Sequence, residues 1–254
     1  MRWYLILTFG STWGWIAVAW AVGWSMGNPL AQLPMAFAPA VAAFVVRKYV
    51  TREGFADAGL RVRVPVRWYA VAWLVPIAVL AGIMALAAVF AGYRPAGFGV
   101  IAAFAGIALL VPPIFFGEEF GWRGYLQQRI HPNPTTAILV TGVIWAVWHW
   151  PLAFAGYSDY DNIPLGLATW GAHTTLMAIL LGWLFVKTAS VWVTSLAHGC
   201  SNMVVGVAGE ILLVEDGGLD RAVVDALTLV PMLAVAVAIL ASGHLRQQPV
   251  ENTV

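Results

Sequence analysis

The chain is a succession of apolar runs, each about 20 residues long, separated by short segments that hold most of its charge. A helix of about 20 apolar residues crosses the hydrocarbon core of a bilayer. Inside lipid only helices and closed barrels satisfy their own backbone hydrogen bonds. A barrel would alternate apolar and polar residues in segments of ~10, and these runs do not alternate. The expectation is an all-α polytopic transmembrane helix bundle of about eight spans: 3–26, 29–46, 66–92, 101–129, 134–154, 163–186, 189–209 and 221–242. The second span is short and contains Pro34 and Pro39. Pro76 and Pro231 predict bends in the third and eighth, since bilayer helices tolerate proline. The first span follows Met1-Arg2, outruns a signal-peptide core and meets no small-residue cleavage site, so it is expected to be retained.

Composition removes the other classes. Only 10% of residues are charged and 61% are hydrophobic, against about 25% charged in a soluble domain. That is too little charge to cover a water-facing surface, which excludes a soluble enzyme and a disordered chain. With 13 Lys and Arg against 12 Asp and Glu there is no basic field to attract phosphate, so no nucleic-acid partner is expected. Cys200 stands alone, which excludes an internal disulfide and a multi-cysteine metal cluster. No repeat or second domain is evident. Residues 1–254 read as one integral-membrane domain with a functional core at about 101–209.

Lysine and arginine set the expected orientation. With the N-terminus inside, the inner segments hold Arg2; Arg47, Lys48, Arg52, Arg61, Arg63 and Arg67; Arg123 and Arg129; Lys187; and Arg246. The outer segments hold only Arg94 and Arg221, with acid at Asp159, Asp161, Glu215, Asp216 and Asp220. This bias predicts cytoplasmic N- and C-termini. Segment 47–67 is the one sizeable inner loop, and its basic residues suit contact with anionic membrane lipids.

Against this background the ionisable residues inside the spans stand out, because each is costly in lipid and marks a functional site by default. The fourth span contains Glu118-Glu119-Phe120-Gly121-Trp122-Arg123. One reading ends the span at Gly117 and makes Glu119 and Arg123 a surface pair. Depth favours the other. At ~1.5 Å rise per residue, a span leaving the membrane near Arg129 places Glu118 ~16 Å deep, His149 ~22 Å, His198 ~14 Å and Asn202 ~20 Å. Three helices would thus bring an acid, two imidazoles and an amide to one stratum, in a cavity expected to open to the cytoplasmic side.

Helical phase separates the two glutamates. Glu119 and Arg123 are i,i+4 and share a face, whereas Glu118 lies about 140° away from Arg123. Glu119 should be neutralised by Arg123, leaving Glu118 free to act as a general base. Gly117, Gly121 and Gly124 leave room for a close neighbour. His198 and Asn202 are again i,i+4, and Trp145 shares a face with His149. Each histidine alone would read as a packing residue, and Asn202 alone as interhelical glue. His173, mid-span in the sixth helix, reads as packing or support, Asp225 as solvated, and His131 and His244 as interfacial.

Glu118-Glu119-x-x-x-Arg123, Trp145-x-x-x-His149 and His198-x-x-x-Asn202 together resemble the three motifs of the CPBP family, the type 2 CAAX prenyl proteases and bacteriocin-processing (Abi) enzymes. The second motif usually opens with Phe, so Trp145 is an aromatic variant. The resemblance implies an intramembrane endopeptidase with Glu118 as catalytic base, His149 positioning the water, and His198 and Asn202 stabilising the oxyanion. Glu119 and Arg123 would be support. It also implies a peptide or membrane-associated, in some members prenylated, protein substrate.

The chemistry is coherent without the name. Peptide hydrolysis needs an activated water, donors for the oxyanion and a proton for the leaving amine. Ser201 has no buried Asp to complete a triad and Cys200 no base on its helix face, so direct attack by water is preferred. No cofactor is favoured. Zinc stays open, with His149, His198 and Glu118 as its candidate ligands, although no His-Glu-x-x-His is present. Two other functions compete. A transporter or proton relay would string polar residues across the whole membrane and carry inverted repeats, and neither is seen. A non-catalytic immunity or scaffold protein of the same fold would keep the helices without the activity. A prokaryotic cytoplasmic membrane is the expected location.

Overall fold

The computed structural model describes residues 1–158, 160, 162–243 and 245. Asp159, Asp161, His244 and Arg246 therefore lie outside the described residues. Regular structure among those described is helical: α1 (Arg2–Ala21), α2 (Pro29–Val45), α3 (Val66–Phe90), α4 (Phe98–Ile107), α5 (Pro112–Gly121), α6 (Pro134–His149), α7 (Ile163–Thr188), α8 (Val191–Cys200) and α9 (Arg221–Ala241). Four helices continue past these limits, α6 through a 3₁₀ turn, Trp150–Phe154. α2 runs through a π-helical turn, Val46–Thr51. α5 runs through another, Trp122–Leu126, into Gln127–Ile130. α8 runs through π-helical Ser201–Ala208 and Glu210–Glu215. Counted with these extensions, seven helices are long and apolar enough to cross a membrane, or eight if the bent pair α4 and α5 is one span.

Helix starts follow local chemistry. Asn28, Asn133 and Asn162 each accept a backbone N–H of the first turn through Oδ1, and each precedes a proline at the first or second helical position. Such side chains satisfy the orphan donors of a helix N-terminus, and proline there forfeits no hydrogen bond. Ser190 and Asp220 do the same for α8 and α9. α3 stays helical through Pro76, α9 through Pro231, and α2 through Pro34 and Pro39.

The fourth span differs from the continuous helix expected over 101–129. α4 and α5 meet at 63°. The break falls at Ala108–Val111, before Pro112 and Pro113. Proline lacks the N–H for the ladder and disfavours helix in the residue before it.

Glycine lets α5 sit against α2. A Cβ on Gly117 would lie 2.4 Å from the Ala36 carbonyl oxygen, and one on Gly121 would lie 2.4 Å from Pro39 Cβ. Gly124 faces the Ala58 carbonyl oxygen at 2.7 Å on the same measure. All three glycines of this run serve close approach, as their spacing suggested.

One end of the bundle is closed by segment 46–65. Arg47 is fully buried and donates to the carbonyls of Gly54 and Gly124 and to Asp57. Arg129 donates to Glu53 and Asp57. Val191 N–H donates to Gly59 O, and Leu60 bridges Ser190. Arg47 beside Asp57 holds that carboxyl at about 2, well below its ordinary range.

Candidate active site

α5 brings both glutamates into the interior. Glu119 is fully buried and Glu118 nearly so. Arg123 Nη1 donates to Glu119 Oε1 at 2.8 Å, and neither side chain reaches solvent. Glu118 turns the other way, toward α6, where Trp145 Nε1–H donates to its Oε2 at 2.7 Å. The i,i+4 argument thus separates the two carboxylates as expected, and α6 supplies Glu118 with a donor that spacing does not reveal.

Trp145 is the hub of the site. The Arg123 guanidinium lies over its ring at 4.4 Å, and the His198 ring meets it edge-on at 5.1 Å. Its carbonyl oxygen is 2.8 Å from His149 Nδ1. A carbonyl only accepts, so that contact puts the proton on Nδ1 and leaves Nε2 as an acceptor in neutral His149.

His198 is buried near the end of regular α8. Its Nδ1 lies 2.9 Å from Glu119 Oε1, and Phe115 packs on its ring at 4.6 Å. Glu119 therefore serves two partners, Arg123 and His198, rather than Arg123 alone. Asn202 lies just past the junction where α8 becomes π-helical. Such local widening is frequent at functional sites.

Glu118, Trp145, His149, His198, Ser201 and Asn202 line a single cavity of about 1120 Å³. The four residues to which the sequence assigned catalysis share it, with Glu119 and Arg123 directly behind. His173 reaches the same cavity, and its Nε2 lies 3.0 Å from the Asp225 carbonyl oxygen. Sequence reasoning missed Phe115, Tyr157 and Trp170. Tyr157 stacks on Trp170 at 5.6 Å, and Trp170 in turn meets His149 at 5.5 Å. The one sequence signal for Trp170 is its i,i+3 spacing from His173 on α7. Among the described residues no three His, Cys, Asp or Glu side chains are grouped to hold a metal ion.

The cavity lies toward one end of the bundle. Beyond the catalytic stratum its walls are Gly27, Pro29 and Leu30 before and at the start of α2, Tyr157 and Ser158 after α6, and Glu210, Glu215 and Arg221 between α8 and α9. These lie at the end of the bundle opposite segment 46–65.

The fold and the three motifs resemble a membrane helix bundle of the CPBP type across the central helices. Residues 98–204 match the family model described as Type II CAAX prenyl endopeptidase Rce1-like, a stretch that contains all three motifs. A curated relative, CAAX prenyl protease 2 of Methanococcus maripaludis, is 26% identical over 112 residues. That similarity covers 40% of this chain and 41% of the relative, so it spans about two-fifths of the relative's length.

Proposed function

We propose that the protein is an intramembrane endopeptidase that hydrolyses a peptide bond by direct attack of water. The observation that carries the reading is the convergence of Glu118, His149, His198 and Asn202 on one cavity. In this mechanism Glu118 takes a proton from a water held by His149 Nε2, and the resulting hydroxide attacks the scissile carbonyl. Asn202 and His198, whose Nδ1 faces Glu119, donate to the oxyanion. The tetrahedral intermediate collapses with cleavage of the C–N bond, and protonated Glu118 returns its proton to the leaving amine. Trp145 fixes the carboxylate of Glu118, while Arg123 offsets the charge of Glu119. The substrate is a peptide or membrane-associated protein, with prenylated CAAX proteins one class, and the functional core is about 101–209. The location is a prokaryotic cytoplasmic membrane.

Purified protein in detergent or liposomes, incubated with prenylated and unprenylated peptides, tests this reading. Glu118→Gln and His149→Ala should each lose about 10²–10⁴-fold in rate. A Glu118→Gln protein that cleaves at the wild-type rate removes the proposed base. Chelation should leave cleavage intact, whereas loss on chelation with recovery on added zinc would overturn the metal-free route. Absence of cleavage with every peptide, together with proton or solute flux that depends on Glu118, would favour the transport reading. Absence of both would favour the scaffold.

A further inference from the structure

The two ends of the bundle differ in closure as well as in charge. At one end, segment 46–65 is tied down by buried Arg47 and by Arg129, Gly59 and Leu60. No residue between 37 and 75 lines the cavity. At the other end the cavity runs from Glu118 and His198, past Ser201 and Asn202, to Tyr157, Ser158 and Glu215. The bent fourth span crosses between these ends rather than returning. Gly97, before α4, is packed against Leu212, near the mouth, whereas Gly124, past α5, is packed against Ala58 and Val191 at the closed end.

The closed end carries Arg2, Arg47, Lys48, Arg52, Arg61, Arg63, Arg67, Arg129 and Lys187. The open end carries Arg94 and Arg221, and Arg221 is paired with Glu210. Lysine and arginine in short loops stay on the cytoplasmic side. Each charge retained there gains from the membrane potential, ~2.3 kcal/mol per 100 mV. Nine against two at the two ends leaves one orientation.

We propose that the cavity opens to the extracytoplasmic face and receives polypeptide presented there, such as a segment already exported or translocated. This narrows the substrate class of the protease reading, because a prenylated chain end anchored on the cytoplasmic leaflet would meet the closed end. The orientation stands on charge and geometry alone. The substrate class rests additionally on the protease reading.

Site-specific labelling decides it. The native thiol, Cys200, is buried and serves as a silent background. Ser158→Cys and Asp216→Cys place single reporters at the open end, and Thr51→Cys places one at the closed end. Intact spheroplasts and everted vesicles are treated with a membrane-impermeant maleimide. The two open-end reporters should label in spheroplasts, and Thr51→Cys only in everted vesicles. Two open-end reporters give the side even if one variant fails to accumulate. Thr51→Cys labelled in spheroplasts, with the open-end pair labelled only in everted vesicles, overturns the orientation. Peptide cleavage lost in Glu118→Gln but confined to everted vesicles would overturn the substrate class and leave the protease reading intact. A Glu118→Gln protein of full activity would do the reverse.

Discussion

The buried Glu119–Arg123 pair offers the sharpest test of how the site is held. At the 2.8 Å separation and an effective dielectric of ~20, the attraction is ~6 kcal/mol, most of it offsetting the loss of hydration. Removing one partner strands a charge, at a cost of about 3–5 kcal/mol. Removing both with apolar side chains of similar volume should restore much of that. Arg123→Met, Glu119→Leu and the double variant therefore form a cycle, read by equilibrium unfolding in mixed micelles. Each single variant should lose about 3–5 kcal/mol, and the double much less than their sum. The recovery should be incomplete, since Arg123 also lies over Trp145 and Glu119 also holds His198. Activity should stay low in the double variant, because His198 then lacks its carboxylate. Strictly additive losses, or a single Arg123→Met within ~1 kcal/mol of the parent, would refute the buried-pair argument.

Three further outcomes are expected. Trp145→Phe, which installs the residue usual in the motif, removes the hydrogen bond to Glu118. Bonds to charged groups contribute ~1.5–3 kcal/mol, so kcat/KM should fall about 10–100-fold and the melting transition should fall with it. Gly121→Ala should destabilise by ~1–3 kcal/mol through overpacking against Pro39, whereas Gly14→Ala, where a Cβ meets nothing within 4 Å, should be neutral or stabilising in the same melts. Asp57 titrates at about 2 against an ordinary 3.8, so its ties to Arg47 and Arg129 are complete above pH ~4 and weaken as pH falls toward 2. Asp57 is about half exposed, with 53% side-chain accessibility, so the effect is below ~1 kcal/mol. Proteolysis of segment 52–65 should rise over that acid range in the parent and be flat in Asp57→Asn.

The sequence by itself determined the membrane class, the approximate spans, the residues that had no business in lipid, and the pairing of Glu119 with Arg123. These are consequences of composition and of periodicity along one helix, where neighbours three or four residues apart meet in any fold. The tertiary structure decided what crosses between helices. It gave Glu118 the indole of Trp145, gave His198 the carboxylate of Glu119, set Trp170 beside His149, and put the cavity's mouth at the end opposite the basic loop. Those contacts depend on how each helix is rotated and where the break at Pro112 aims α5. Such rotations are fixed by packing across residues far apart in the chain, which no local pattern encodes.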